Sequence, residues 1–319
     1  MKDMYKNGVF GVVVGDAFGC PVQFESREEV AMHPVKDMRG HGTFNLPEGS
    51  WTDDSSLTLA LLNSINKNEC INLKHIMDSF VDWLEYGEFT PFGYSYDIGR
   101  GTMYAIHNYE RYKDVFECGG NSESNNGNGS LMRIIPACLF AVERGLNNKE
   151  ALAVVHEVGS LTHAHTRANI ACGLYYFMVK SIINNEGSLI VRMQKGLDEG
   201  FSYYEQFDTD ELSYYDRLRD LMMFALTPEN EIRSSGYVVD TIEASVWSLI
   251  NTYSYRTALI KAVNLGLDTD TVGAIAGGLA GLYYGIGGEN GIPTEWIDKV
   301  QKHEYIRAMC EIADVRASR

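Results

Sequence analysis

Basic side chains are scarce in this chain. Its 319 residues carry 27 Lys and Arg against 43 Asp and Glu, a formal net charge of −16. Gripping nucleic acid or an anionic membrane takes a basic footprint, so neither fits as the main partner. A local site for an anionic nucleotide stays open, because bound cations invert the field around them. Paired cysteines are also missing. Cys20, Cys70, Cys118, Cys138, Cys172 and Cys310 are scattered with no C-x-x-C, which argues for free thiols in a reducing compartment and against disulfide staples. No apolar run is long enough for a bilayer. The best candidate, residues 272–286, is 15 residues long and rich in glycine, short of the ~20 that a span needs. The apolar start of the chain is interrupted at Asp16 and lacks an A-x-A-like end, so it does not read as a signal peptide. The expectation is a soluble, cytoplasmic protein. Neither G-x-G-x-x-G after a strand nor G-x-x-x-x-G-K-[ST] is present, which removes the common dinucleotide and P-loop folds.

What is present is helical periodicity. Residues 55–67 place Leu59, Leu62 and Ile65 on one face, and 71–86 do the same with Ile76, Phe80, Trp83 and Leu84. Residues 131–144, 149–160, 167–184, 210–225, 239–253, 255–265 and 294–313 also read as helices. Only 9–14 looks strand-like, and a helix buried on all sides would read the same way. The expectation is a mostly α chain forming one domain over residues 1–319. The polar, glycine-rich stretch 117–129 resembles a linker by composition. It runs straight into apolar sequence, so an active-site loop inside one domain is the better reading.

Chemistry first shows at Trp51-Thr52-Asp53-Asp54-Ser55, just before a helix. Far downstream, Asp268-Thr269-Asp270-Thr271 opens another. Thr and Asp are preferred N-caps, so each segment has a plain capping explanation. Two carboxylates and a hydroxyl are more than a cap requires. Brought together, the segments could hold two hard cations such as Mg²⁺ through oxygen ligands, as binuclear hydrolases do. Residue chemistry alone leaves metal site and unrelated caps equally open. The second helix carries Gly273, Gly277, Gly278 and Gly281. Interior glycines cost up to ~1 kcal/mol each relative to alanine, which close helix–helix approach would offset.

Six motifs in order now carry a family resemblance. They are Gly15-Asp16-Ala17-Phe18-Gly19, Trp51-Thr52-Asp53-Asp54-Ser55, Asp97-Ile98-Gly99, Gly127-Asn128-Gly129-Ser130-Leu131-Met132-Arg133, Leu161-Thr162-His163 and Asp268-Thr269-Asp270-Thr271-Val272-Gly273. Together, from about residue 8 to 300, they resemble the ADP-ribosylglycohydrolase family. The resemblance implies an all-α fold of orthogonally packed helices and a hydrolase that cleaves the bond between C1″ of ADP-ribose and an acceptor. It implies two Mg²⁺ (or Mn²⁺) ions held by Thr52, Asp53, Asp54, Asp268, Asp270 and Thr271. Asp97, with Asp53 and Asp270, would carry the chemistry. Asn128, Gly129, Ser130 and Met132 would lie along the diphosphate and ribose, with His163 nearby. Taken alone, His163 reads as a hydrogen-bonded core histidine.

The partner implied is an ADP-ribosylated protein or small molecule, with nucleic acid entering only as a modified substrate. Other readings are a binuclear hydrolase of another nucleotide-like substrate, or a non-catalytic, crystallin-like relative. One position departs from the family pattern: where many members have Glu in G-D-A-L-G-x-P-x-E-F, this chain has Gln23. A carboxamide binds through its carbonyl oxygen but is no general base. Gln23 is therefore expected to orient water or ribose, leaving Asp97 or a cation-bound water as base.

Overall fold

A computed structural model describes residues 3–207 and 210–319. In chain order its α-helices are α1 (Met4–Gly19), α2 (Arg27–Met32), α3 (Asp53–Asn68), α4 (Leu73–Tyr86), α5 (Arg100–Tyr112), α6 (Ile135–Glu143), α7 (Asn148–Ser160) and α8 (Thr166–Asn184). They continue with α9 (Leu189–Tyr204), α10 (Leu221–Phe224), α11 (Val238–Ile250), α12 (Tyr255–Val263), α13 (Thr269–Tyr284), α14 (Thr294–Lys299) and α15 (His303–Ala317). Short 3₁₀ turns join them, and among the described residues β-pairing is confined to isolated bridges. The fold is all-α. No described helix is long and apolar enough to cross a membrane.

The strand-like stretch at 9–14 lies inside α1, a helix buried on nearly every side. Glycine explains how it packs. A Cβ on Gly11 would sit 2.3 Å from the carbonyl oxygen of Gly277, and one on Gly15 would sit 2.1 Å from that of Gly273. At Gly19 the corresponding distance is 2.3 Å, to the carbonyl oxygen of Thr269. The reverse contacts hold too: a Cβ on Gly277 would sit 2.2 Å from Gly11 O and one on Gly281 2.3 Å from Asn7 O. Glycines spaced by four share one helix face, so two stripes meet backbone to backbone and run antiparallel. The close approach expected for the α13 glycines is present, and its partner is α1.

Three sequence expectations differ in detail. Residues 131–144 begin as a 3₁₀ turn, Leu131–Arg133, before α6, whose Pro136 occupies the first turn where no amide hydrogen is needed. Residues 210–225 form a 3₁₀ helix, Asp210–Arg219, followed by the single turn of α10. Leu212, Tyr215, Leu218 and Leu221 are buried at a spacing of three, the 3₁₀ repeat. Residues 294–313 split into α14 and α15. The break is fixed from outside: Gln301 donates its amide to Gly49 O at 3.0 Å and accepts from Trp51 Nε1 at 3.0 Å.

The α1–α13 contact generates a stability prediction. Gly15→Ala drives a methyl into backbone that cannot step aside, and should cost more than about 2 kcal/mol, the range of overpacked cores. Gly8→Ala meets only side-chain methyls, the nearest at 3.1 Å, and should cost well under half as much. Urea midpoints of the two variants decide it; equal losses would show that the helices can separate freely.

Candidate active site

Antiparallel packing brings the C-terminal end of α1 to the N-terminal end of α13, and α3 starts beside both. Asp16, in the last turn of α1, is completely buried. Both its oxygens accept from Thr52 N at 3.0 Å; Oδ2 also accepts from Ser55 N at 3.0 Å and Ser55 Oγ at 2.5 Å. Thr52 Oγ1 donates to Oδ1 at 3.0 Å. Asp16 therefore caps α3 from another helix. Burial pushes its carboxyl up to about 7, with the four donors opposing that rise. It was not among the expected site residues; the signal for it was one acid inside an otherwise apolar segment.

This arrangement removes the capping explanation for both segments. Thr52 occupies the N-cap of α3 and Asp268 that of α13, yet neither side chain accepts from a backbone amide of its own helix. Their acids are turned elsewhere. Thr52 Oγ1 lies 3.3 Å from Asp270 Oδ2 and 3.4 Å from Asp54 Oδ2. Thr271 Oγ1 lies 3.3 Å from Asp54 Oδ2 and 3.5 Å from Asp268 Oδ1. Asp97 joins them from the turn before α5, its backbone left-handed at φ 54°. Asp270 lies within hydrogen-bonding reach of Asp97 and Asp268, and the Gly99 amide within reach of Asp53. Burial, then mutual repulsion, pushes the carboxyls of Asp53, Asp54 and Asp270 far up; burial also raises Asp97 and Asp268.

Asp54 Oδ1 and Asp270 Oδ1 are buried without a hydrogen-bond partner. Buried carboxylates at this density require protons or cations. An all-oxygen donor set suits a hard divalent metal, so these residues fit one. The amino ends of α3 and α13 add favourable dipoles for the anionic side chains. Among the described residues, two other acid–histidine groups lie elsewhere: Glu85, His107 and Glu110, all exposed, and Glu123, His165 and Glu211. In the second, Arg167 already pairs with Glu123 at 2.8 Å and Glu211 at 2.7 Å.

Above the carboxylates opens a cavity of about 840 Å³, lined among others by Gln23, Asp53, Asp54, Asp97, Asn128, Gly129, Met132, His163, Asp268 and Thr271. Thr52 and Asp270 lie beneath that lining, bonded to it. Ser130 does not face the cavity: it is buried on the far side of the loop, 3.6 Å from Cys172 Sγ. Asn128 is held through Nδ2, which donates to Asp268 Oδ2 at 2.5 Å and Thr241 Oγ1 at 2.9 Å. Its amide donates to Gly236 O at 3.1 Å. The glycine-rich stretch 117–129 is thus docked against residues before α11 and α13 and is no linker. The Gln23 carboxamide lies within hydrogen-bonding reach of Asp97 and Asp268, while its Oε1 is buried and unpartnered.

The rim holds features the sequence did not signal. Phe24 and Leu267 both have left-handed backbones, at φ 70° and 63°. They are joined by Phe24 N to Leu267 O and Leu267 N to Glu25 O, each 2.6 Å. Arg100 is a cation on the cavity lining, and Thr102 Oγ1 is buried there without a partner.

Raised carboxyls set the sign of a pH effect. Asp16 titrates near 4 when unfolded and at about 7 when folded. Its favourable contribution is full below pH 4 and disappears as pH rises through 7. Protein held in chelator should therefore melt lower at pH 8 than at pH 5. Mg²⁺ or Mn²⁺ should raise the melting temperature more at pH 8, because the cation competes with bound protons. Asp270→Ala should abolish that metal-dependent rise. An identical melting temperature with and without cation at pH 8 would contradict the assignment.

Comparison with known proteins agrees with this geometry. The model of the ADP-ribosylglycohydrolase family matches residues 1–319. The chain is 30% identical over 310 residues to the ADP-ribosylarginine hydrolase Tri1 of Serratia proteamaculans (strain 568), covering 97% of this chain and 78% of that protein. It is 29% identical over 302 residues to the ADP-ribosyl-dinitrogen reductase glycohydrolase of Rhodospirillum rubrum, covering 94% and 91%. A solved structure of an ADP-ribosylglycohydrolase-related protein complex superposes with a TM-score of 0.78 at 28% identity, covering 99% of this chain and 98% of that one. With buried acids at the helix starts and a glycine-walled cavity above them, this chain belongs to the ADP-ribosylglycohydrolase family and is a hydrolase of ADP-ribosyl glycosidic bonds.

Proposed function

We propose that the chain acts as one unit that removes ADP-ribose from a modified side chain or small acceptor, using a binuclear Mg²⁺ or Mn²⁺ centre. Thr52, Asp53, Asp54, Asp268, Asp270 and Thr271 would hold the ions. The observation carrying this reading is the pair of orphaned oxygens, Asp54 Oδ1 and Asp270 Oδ1, buried under a cavity whose upper wall is Gly127, Asn128 and Gly129. Divalent cations bound there would supply Lewis acidity toward ribose hydroxyls and water.

The protein's own groups divide the remaining work. Glycines at 127 and 129 let backbone amides approach a diphosphate closely. Asp97 is less buried than the other acids and has the Gln23 carboxamide within reach, which supports it as the group that takes the proton from water or a ribose hydroxyl. Carboxylates beside C1″ stabilise positive charge as the glycosidic bond breaks. Gln23 brings a donor within reach of Asp97 and Asp268 where a carboxylate would add another negative charge. The acidic cavity favours a cationic acceptor such as arginine, the acceptor in the name of one relative.

Turnover of arginine-linked and serine-linked ADP-ribose tests the assignment. Wild type should release ADP-ribose from the arginine linkage, and Asp97→Asn should depress kcat by about 100-fold or more, the scale of a lost acid–base group, with ADP-ribose affinity nearly unchanged. Gln23→Glu should change the ratio of the two substrates. An inert wild type beside an active Gln23→Glu would make the chain an ADP-ribose-binding protein instead. Gly129→Val, whose Cβ alone would lie 2.6 Å from the His163 ring, should weaken ADP-ribose binding more than tenfold, or ~1.4 kcal/mol. Unchanged affinity would place the diphosphate elsewhere.

A further inference from the structure

Behind the glycine wall sits a buried arginine whose hydrogen bonds all go to neutral groups. Arg133 is fully buried, with its guanidinium 4.7 Å over the Phe80 ring. Nη1 and Nη2 each donate to Val158 O at 3.3 Å, and Nη2 also donates to Thr162 Oγ1 at 2.7 Å. Thr162 Oγ1 in turn lies 2.9 Å from His163 Nδ1.

Proton counting fixes the direction of this chain. A guanidinium has donors only, and a hydroxyl has one proton and two lone pairs. Arg133 therefore occupies a lone pair of Thr162, and the hydroxyl proton is left for His163 Nδ1. The reverse arrangement, with Nδ1–H donating, would fill both lone pairs of that oxygen with donors. It would also leave a buried hydroxyl proton with no acceptor among the described residues, at the cost of an unmade bond. His163 Nδ1 is the acceptor, so the ring proton is on Nε2.

The Nε2 edge faces the cavity. A Cβ on Gly101 would lie 2.9 Å from Nε2 and one on Gly127 would lie 3.4 Å away, so only glycine leaves that edge open. Thr102 Oγ1, buried and unpartnered, borders the same space. Burial, then the charge of Arg133, pushes the imidazolium down to about 3, which keeps the ring neutral near pH 7.

We propose that Arg133 and Thr162 are positioning residues that lock His163 as the Nε2–H tautomer, so that His163 offers a fixed donor to a phosphate oxygen of the bound ligand. The ligand half of this statement rests on the ADP-ribose reading above; the tautomer half does not. A neutral, oriented donor recognises an oxyanion without adding a titrating charge beside the carboxylate cluster.

The test is ¹⁵N spectroscopy of histidine-labelled protein, with His163 assigned by its loss in His163→Gln. Wild type should show Nε2 protonated and Nδ1 bare. Thr162→Val should shift His163 toward Nδ1–H and raise both the Kd for ADP-ribose and the KM of the substrate about tenfold, a tenfold change being one decade of affinity, while kcat moves far less. Thr162→Ser keeps the hydroxyl and should restore both readouts. A wild-type ring protonated on Nδ1 overturns the proposal, and that spectrum decides even where Thr162→Val fails to fold. So does a folded Thr162→Val with unchanged tautomer and affinity. A wild type with the Nε2–H ring and no affinity for ADP-ribose upholds the relay and overturns the ligand reading instead.

Discussion

The contact between α1 and α13 governs the rest of the molecule. Neither helix is strongly amphipathic; both are apolar nearly all round, and they are held at backbone distance by facing glycines. Backbone contact leaves little freedom to slide, because each carbonyl seats against a particular glycine. The register it sets puts Gly19 against Thr269. Asp16 and Asp270, on helices joined far apart in the chain, thereby arrive at one spot. A looser pair of helices with ordinary side chains between them would separate these acids by several ångströms.

That register creates an electrostatic problem for the fold. Six aspartates converge with little water, and their repulsion is relieved in three local ways. Backbone and hydroxyl donors converge on Asp16, Asn128 donates to Asp268, and the amino ends of two helices point inward. The two oxygens left over, on Asp54 and Asp270, are buried with no donor to relieve them. On the proposed metal reading, folding stability and metal affinity are opposed in the same side chains: each carboxylate that would strengthen the site weakens the metal-free protein.

Much of this was legible in sequence because it is written as short contiguous patterns. The two acid–hydroxyl segments and the glycine-rich loop are readable one at a time, and the glycine stripe of α13 announced a close neighbour. What the sequence did not show depends on pairs distant in the chain. Asp16 looked like an interruption of an apolar run until Thr52 and Ser55 were seen to donate to it. Ser130 shares its motif with Asn128 and Gly129, yet the turn into the Leu131–Arg133 3₁₀ helix rotates it toward Cys172. Helix α5 was missed because its sequence is polar and its buried side, Thr102, Ala105, Ile106 and Tyr109, is narrow. The segment after residue 210 misled for the opposite reason, since its apolar residues recur every three positions and suit a 3₁₀ helix better than an α-helix.

The rim pair Phe24 and Leu267 has a mechanical consequence. Each spends conformational energy in a left-handed backbone, of order 1–3 kcal/mol, and each is stapled to the other's loop by a short hydrogen bond. Gln23 immediately precedes one and Asp268 immediately follows the other. The two loops behave as a single clasp, so the carboxamide and the carboxylate keep their spacing when either loop is pushed. For anyone transplanting loops between relatives to change acceptor preference, the exchangeable unit is therefore the pair. Replacing the segment around Gln23 alone would leave Leu267 strained with nothing to hold it, and the cost would surface at Asp268.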